Sequence, residues 1–470
     1  MSSINLNNEQ QIAYNAIGKE ISLFISGGAG CGKSVVITEK VKSDETGRIV
    51  LCATTNQAAR VLVEKLDTGS KVPTMHSVLK MKPIYDGSTK DADKIVDFEF
   101  TIKPILFLGL VGKDLIIDEA SMISRKVQDY IFELLRYRHL NSVTFVGDKY
   151  QLSCVNNEPF DYNRVSNIIE LTKIQRADNK ELLHYYNTIR DEVQSNKPLS
   201  AFTGAKYFDD LKDFTSYMKS TDGSKVIISY TNQAADACAK SIDSATMYEG
   251  QICNALASCY YNHFELSEIF SVETNSRIII KKLFRDYAHM ERDAINCEYE
   301  FALPKEPINM DITSLSYIQV ENCNGKLGYI SIWNGSLEDK DNLYLNNMTR
   351  KYRKLQDSVK LKVPQNIWNN YAKEDGYLKS LSILKKTMLL SADIRNQDRI
   401  FWHNFHVVKD ALPIRSHLST TAYRAQGITV DIAGVNLDDI QGFDNLNLEY
   451  VALTRAAKEL VILGGYNERT

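Results

Sequence analysis

The segment GGAGCGKS (27–34) sets glycines, a lysine and a serine in the spacing G-x-x-x-x-G-K-[ST], a pattern suited to holding phosphate groups. Backbone N–H groups made accessible by Gly27, Gly30 and Gly32 are expected to wrap the phosphate oxygens, along a loop that also includes Gly28, Ala29 and Cys31. Lys33 is placed to meet the β- and γ-oxygens, and Ser34 to ligate Mg²⁺. Farther on, LIIDEAS (115–121) closes an apolar run with two carboxylates. Asp118 is expected to hold Mg²⁺, directly or through water, and Glu119 to orient or deprotonate an attacking water. The two motifs together point to ATP hydrolysis, with ATP and Mg²⁺ as cofactors. They leave open what the energy drives.

Three further side chains fit the same chemistry. VGDKYQL (146–152) ends an apolar run and carries Gln151 to where a γ-phosphate would lie. LTKIQRADN (171–179) supplies Arg176, and ALTRAAKEL (452–460) supplies Arg455 near the C-terminus. Read singly, each arginine is a surface charge or an ion-pair partner. In this order the pair can converge on one γ-phosphate from two lobes, where an arginine finger is worth about 10³–10⁵ in rate.

These residues need a scaffold that brings loop ends together, and the hydrophobic pattern predicts one. ISLFIS (21–26), RIVLCA (48–53), DLIID (114–118) and VTFVGD (143–148) read as buried strands, alternating with amphipathic helices such as 57–66. That is an α/β arrangement, a parallel sheet covered on both faces. A second βα run starts at 225–242, resumes at 415–437 and closes at 446–463. Between them, 250–405 is rich in Tyr, Asn and Lys, and 316–333 alternates around an Asn324-Gly325 turn, which suggests a small β subdomain. The Asp86-Gly87 turn signal and the alternation in IVDFEFTI predict a hairpin within 82–104.

Composition bounds the reading. At 470 residues the chain is expected to hold about three domains. Hydrophobic residues at 44% and charged residues at 24% suit a globular chain. The eight cysteines show no zinc or redox spacing, so reduced thiols are expected. MSSINLNNEQQ has no basic stretch leading into an apolar one, and no run of about 18 apolar residues occurs. An intracellular protein without a membrane segment is expected, in cytoplasm or nucleoid, or in a host cell if the source is viral or phage. A net charge of −3 means that any nucleic-acid contact must come from aimed donors in a cleft rather than from a basic surface.

The motif set resembles the superfamily 1 helicases, specifically the RecD/Dda-like 1B branch, over residues 5–200, 225–250 and 410–465. LNNEQQIAYNAI (6–17) is similar to the family's adenine-contacting segment, with Gln10 at the position of its glutamine. ATTNQAARVL (53–62), TMHSVLKMKP (74–83) and STTAYRAQGITVD (419–431) are similar to segments that line its strand path. The resemblance implies two RecA-like lobes, an ATP requirement and 5′→3′ polarity, with the strand crossing the tops of both lobes. This chain departs from the pattern at Thr54, where proline is common, at Tyr423 and Arg424, which replace His-Lys, and at Ser153-Cys154.

The strand path also has a reading from the residues themselves. Thr55, Asn56, Thr74 and His76 stand at expected loop ends, where their polar groups can bond phosphate oxygens without reading bases. The plainer role for Thr and Asn there is capping, and for His76 a satisfied buried ring. Thr421 and Gln426 are strand candidates through the AQG signature around them. Phe98 is the candidate wedge at a strand–duplex junction, and the alternative is that Phe98 or Phe100 packs the hairpin base. The run 348–362, with six basic residues and Asp357 as its only acid, is either an electrostatic track or a solvated helix face.

The expected organisation is therefore a RecA-like lobe at 1–81 and 105–220, a hairpin insertion at 82–104, a second RecA-like lobe at 221–250 and 406–470, and an SH3-like β-rich insertion at 251–405. The expected function is a monomeric, ATP-dependent 5′→3′ DNA helicase. Its expected partners are single-stranded DNA, a duplex junction, and replication or recombination proteins, with no membrane. The alternatives are an RNA helicase and a nucleic-acid-stimulated ATPase switch or remodeller, since backbone contacts do not expose use of the 2′-OH.

Overall fold

The computed structural model describes residues 6–28, 30–66, 72–85, 95–99, 109–154, 157–173, 179–242, 247–262, 269–274, 276–298, 303–308, 314–334, 340, 392–443 and 445–465. It divides into two compact units, Met1–Ile84 with Ile95–Thr246 and Ser416–Thr470, and Tyr85–Lys94 with Met247–Arg415.

The first unit opens with β1 (Ser22–Gly27) and β2 (Ile49–Ala53). β3 (Lys82–Tyr85) and β4 (Ile95–Glu99) then form a two-stranded sheet of their own, matching the expected hairpin. Phe98 is in β4, but its side chain lies outside the described residues, as do Phe100 and the tip at 86–94. β5 (Asp114–Asp118), β6 (Ser142–Gly147) and β7 (Asn167–Leu171) complete a sheet of order β2-β5-β6-β1-β7, parallel throughout. Its central strands β1, β5 and β6 are buried along their whole length, as a doubly covered parallel sheet requires. Leu23, Ile25, Leu51, Ile116 and Val146 pack under the helices of one face, and Phe24, Cys52, Leu115, Ile117 and Phe145 under the other. That split follows the two-residue period of a strand. The helix Arg125–Arg136 illustrates how a helix covers such a face. Val127, Tyr130, Ile131 and Leu134 form its buried stripe, and the Ser124 side chain caps it by accepting the Val127 N–H. Each such buried side chain contributes about 1.5–3 kcal/mol.

β8 (Lys206–Phe208) and β9 (Lys225–Ser229) begin a second sheet. In the other unit come β10 (Ile252–Ala255), β11 (Cys259–Asn262), β12 (Ile269–Val272), β13 (Arg277–Phe284), β14 (Leu315–Glu321), β15 (Leu327–Trp333) and β16 (Leu412–Ser416). β10, β13, β14, β15 and β16 close into a small barrel, as expected of an SH3-like insertion, and β11 pairs with β12. The hairpin of β14 and β15 turns at Asn324-Gly325, with Gly325 at φ +73° and the Asn322 carboxamide accepting the N–H groups of Asn324 and Lys326. On β15, Gly328 faces the fully buried Phe270, and a Cβ there would stand 2.4 Å from the ring. Gly328→Ala is therefore expected to destabilise the barrel by about 1–3 kcal/mol, read as a lowered midpoint in thermal unfolding followed by circular dichroism. The basic run 348–362 lies outside the described residues.

β17 (Ser419–Thr421), β18 (Val430–Asn436) and β19 (Ala456–Leu463) finish the second sheet, whose order is β17-β9-β18-β19-β8, again parallel. Val226, Ile228, Ala433, Val435 and Ile462 serve one face, and Ile227, Ile432, Val461 and Leu463 the other. Two expected boundaries move. The second sheet starts at β8, before the boundary expected at 220/221, because Tyr207 and Phe208 pair with Ile462 and Leu463. The barrel runs past 405, because β16 closes it. Among the described residues no helix is long and apolar enough to cross a membrane.

Candidate active site

Register brings the chemistry to one edge of the first sheet. Ala53 pairs with Asp118, and Ser26 with Gly147, so β1, β2, β5 and β6 deliver their carboxyl ends side by side. Loops at that edge are where open α/β sheets bind ligands.

The phosphate loop leaves β1 at Gly27 and enters the helix Lys33–Lys42. Gly30 and Gly32 take left-handed φ values of +84° and +80°, and Gly32 caps the helix without a side chain. The first N–H groups of that helix thus face the loop with no side-chain acceptor, an arrangement that attracts anionic oxygen. Lys33 Nζ donates to the carbonyls of Gly27 (2.6 Å) and Gly28 (3.0 Å), which holds the ammonium over the loop. Ser34 is half-buried in the first turn, and Cys31 is buried, with a thiol pushed up by that burial. Gln10 is buried, takes part in a capping box with Asn7, and donates Nε2–H to the Cys31 carbonyl (3.2 Å). In this structure it braces the phosphate loop. Ala29 and Arg176 lie outside the described residues.

Asp118 ends β5, buried. Burial first, then Glu119, raises its carboxyl pKa, against the Glu119 N–H (2.9 Å), Lys33 and Lys65, which favour the charged form. A carboxyl in that position gains most from a cation beside it, which fits the Mg²⁺ role expected of Asp118 with Ser34. Glu119 sits at φ +55°, a conformation that non-glycine residues hold only when neighbours fix it. Thr54 supplies the fixing. Its N–H donates to the Asp118 carbonyl (3.2 Å) and its hydroxyl to the Glu119 carbonyl (3.1 Å). Glu119 Oε2 is buried with no hydrogen-bond partner, and such an oxygen is costly unless a ligand or water uses it.

The second lobe meets this corner. Gly427, at φ +76°, passes so close that a Cβ would lie 3.3 Å from Glu119 Oε1. Arg455 is fully buried. Burial lowers its pKa, while Glu119 is the foremost charge favouring the guanidinium. Its Nε donates to the Val451 carbonyl (2.7 Å) at the end of the helix Leu446–Leu453, and its Nη1 to the Ile428 carbonyl (3.5 Å). Gln151 is buried, its N–H donates to the Asp148 carbonyl (3.0 Å), and its side-chain Oε1 has no partner. Gln426 donates Nε2–H to the Leu152 carbonyl (3.3 Å), and Thr421 is buried at the end of β17.

In the first lobe, the Thr55 hydroxyl accepts the Ala58 N–H (3.1 Å), so it caps the helix Asn56–Leu66 that Asn56 opens. Thr74 begins the short helix Met75–Val78 without a side-chain cap bond. His76, within that helix, is half-buried, and burial lowers its pKa.

Sequence reasoning passed over Thr54 as a positioning group, and it passed over Asp148, Arg190, Asn447 and Tyr450 altogether. Tyr450 Oη donates to Asp148 Oδ2 (2.8 Å), and Asn447 Nδ2 to the Gln151 carbonyl (3.3 Å). Arg190 Nη2 pairs with Glu170 (2.9 Å) and lies 3.9 Å from Asp148. The Asp of VGD, a polar residue ending a buried strand, was the one signal available for this group.

Residues 5–205 match a family model described as an AAA domain. The ATP-dependent DNA helicase Pif1 of Campylobacter jejuni is 27% identical over 223 residues, 41% of this chain and 44% of that protein. The chain thus spans less than half the length of that curated relative. Among solved structures, the Pif1 helicase from Candida albicans superposes with a TM-score of 0.51 at 16% identity, covering 98% of this chain and 95% of that one. Bacteroides Pif1 bound to ssDNA gives a TM-score of 0.50 at 16% identity, covering 99% and 93%. Two parallel sheets with the small barrel are the fold these proteins share with the chain. The domain match covers the first part of the chain, and the likeness to the Pif1 structures, which is one of fold, extends over nearly all of it.

Proposed function

We propose that the chain is an ATP-driven DNA helicase that moves 5′→3′ along a single strand and opens the duplex ahead of it. The observation that carries this reading is the unpartnered, buried oxygen of Glu119, with Gly427 and Arg455 of the second lobe beside that carboxylate. A carboxylate so placed can accept a proton from water, and the second-lobe residues beside it would tie hydrolysis to lobe position.

In this reading the helix N-terminus after Gly32 and the Lys33 ammonium take the β- and γ-phosphates, and Gln10 faces the adenine edge. Asp118 and Ser34 hold Mg²⁺, which supplies neutralising charge to the phosphates when bound. Glu119 orients the water and takes its proton. Gln151, Arg176 and Arg455 surround the γ-phosphate, so closing the lobes completes the site and reopening them follows release. Asn56, Thr74 and His76 are the proposed contacts to strand phosphates in the first lobe. Thr55, Thr421 and Gln426 take part through the loops they brace. Phe98 is the proposed wedge. The structure of Bacteroides Pif1 bound to ssDNA supports single-stranded DNA as the partner.

The test compares unwinding of duplexes bearing a 5′ or a 3′ single-stranded tail, in DNA and RNA versions, with ATP. Unwinding from the 5′ tail of DNA is expected, and unwinding only from a 3′ tail would remove the polarity. Turnover without strand separation would favour the switch or remodeller. Lys33→Ala should lower ATP turnover by about 10²–10³, and unchanged turnover would overturn the site itself.

A further inference from the structure

One helix of the second lobe grips the loop that carries Gln151. Asn447 and Tyr450 are three residues apart in Leu446–Leu453 and therefore share a helix face. Asn447 Nδ2 donates to the Gln151 carbonyl (3.3 Å), while Tyr450 Oη donates to Asp148 Oδ2 (2.8 Å). The loop between these grips is closed on itself, because Asp148 Oδ1 accepts the Tyr150 N–H (3.1 Å) and the Asp148 carbonyl accepts the Gln151 N–H (3.0 Å). It is therefore held as one piece, at both ends, by side chains of the other lobe.

The same helix leads directly to Arg455, whose Nε is fastened to the Val451 carbonyl (2.7 Å). Tyr450 also stands over the phosphate loop. A Cβ on Gly28 would lie 3.4 Å from its hydroxyl and 3.4 Å from Arg190 Cδ. Burial and the adjacent Asp148 push the Tyr450 phenol well above its usual range, so it stays a donor. The Asp148–Tyr450 bond is the shorter and joins two buried groups, which makes it the stronger of the two grips.

We propose that Asn447 and Tyr450 are positioning residues that set Gln151 for ATP hydrolysis. A displacement of their helix moves Gln151 and Arg455 together. Neither side chain touches the reacting atoms; both act through the loop 148–151. The γ-phosphate environment then assembles or disperses in one step, with the glutamine of one lobe carried by the helix of the other that leads to the arginine. This rests on the hydrolytic reading above.

The experiment measures steady-state ATP turnover of the full chain, with and without an oligothymidylate, for Tyr450→Phe and Asn447→Ala. Each is made alone and in a Gln151→Ala background. Tyr450→Phe keeps the ring and removes only the donor. Each single variant should lower kcat, about tenfold for Tyr450→Phe and less for Asn447→Ala, with the KM for ATP within about twofold. In the Gln151→Ala background neither change should lower kcat further, because the residue they act through is already gone. Losses that multiply in that background would overturn the proposal. So would a raised KM with kcat unchanged, or singles indistinguishable from the parent. If Tyr450→Phe fails to fold, the half-buried Asn447→Ala carries the same test. Lys33→Ala run alongside keeps the two readings apart. Unaltered turnover there would be a failure of the site, whereas lost turnover there with multiplying losses elsewhere would be a failure of the coupling.

Discussion

Glu119→Gln should lower ATP turnover by about 10²–10⁴ while nucleotide affinity stays within about twofold. The amide keeps the volume, the left-handed backbone and both Thr54 bonds to this corner, since those go to main-chain atoms. What it removes is the basic oxygen, which in the parent is buried and unpartnered. Fluorescent-nucleotide titration and phosphate release on the same preparation separate the two quantities. Equal losses in affinity and turnover would mean that Glu119 is a binding group and not the proton acceptor.

Arg455→Lys is expected to cost more, about 10³–10⁵ in turnover, because a lysine keeps the charge and loses the planar fork. The guanidinium bonds the Val451 carbonyl with one nitrogen and reaches the Ile428 carbonyl and Thr454 hydroxyl with others. A single ammonium cannot hold the helix end and face Glu119 in the same geometry. The substitution should also lower the thermal midpoint, since it leaves buried carbonyls short of a donor. Turnover measured well below that midpoint isolates the catalytic loss. A variant that melts early yet hydrolyses ATP at the parental rate would leave Arg455 a structural residue.

The parts of the site that were legible in sequence are those written locally. The phosphate loop and the Asp118-Glu119 pair each lie in one short run between a strand and a helix, so their spacing alone suggests a chemistry. The grip of the second lobe on Gln151 was not legible, because its hydrogen bonds join residues 296 and 302 positions apart. No periodicity encodes such a pairing. Arg190 was hidden for a related reason, since it follows Ile189 on a helix whose apolar stripe dominates the pattern. Thr54 stood out only as a missing proline, and the structure supplies the reason a threonine serves. Its N–H and hydroxyl are both used at the carboxylate corner, and proline has neither.

The fold divides along the same line. β1, β2, β5, β6, β9, β18 and β19 announce themselves as apolar runs, and the hairpin of β14 and β15 announces itself through Asn324-Gly325. The closing strand of the barrel, LPIRS, has no alternation to read, and β8 has three residues, mostly exposed.

β8 has a consequence for anyone dividing the gene. It is the outer neighbour of β19, so a fragment of the second lobe beginning at the intuitive point near 221 would leave that flank of β19 bare. Its unpaired N–H and C=O groups would be a template for another molecule's strand, and such a fragment would tend to polymerise edge to edge. Starting before Lys206 keeps the sheet's own selvedge in place.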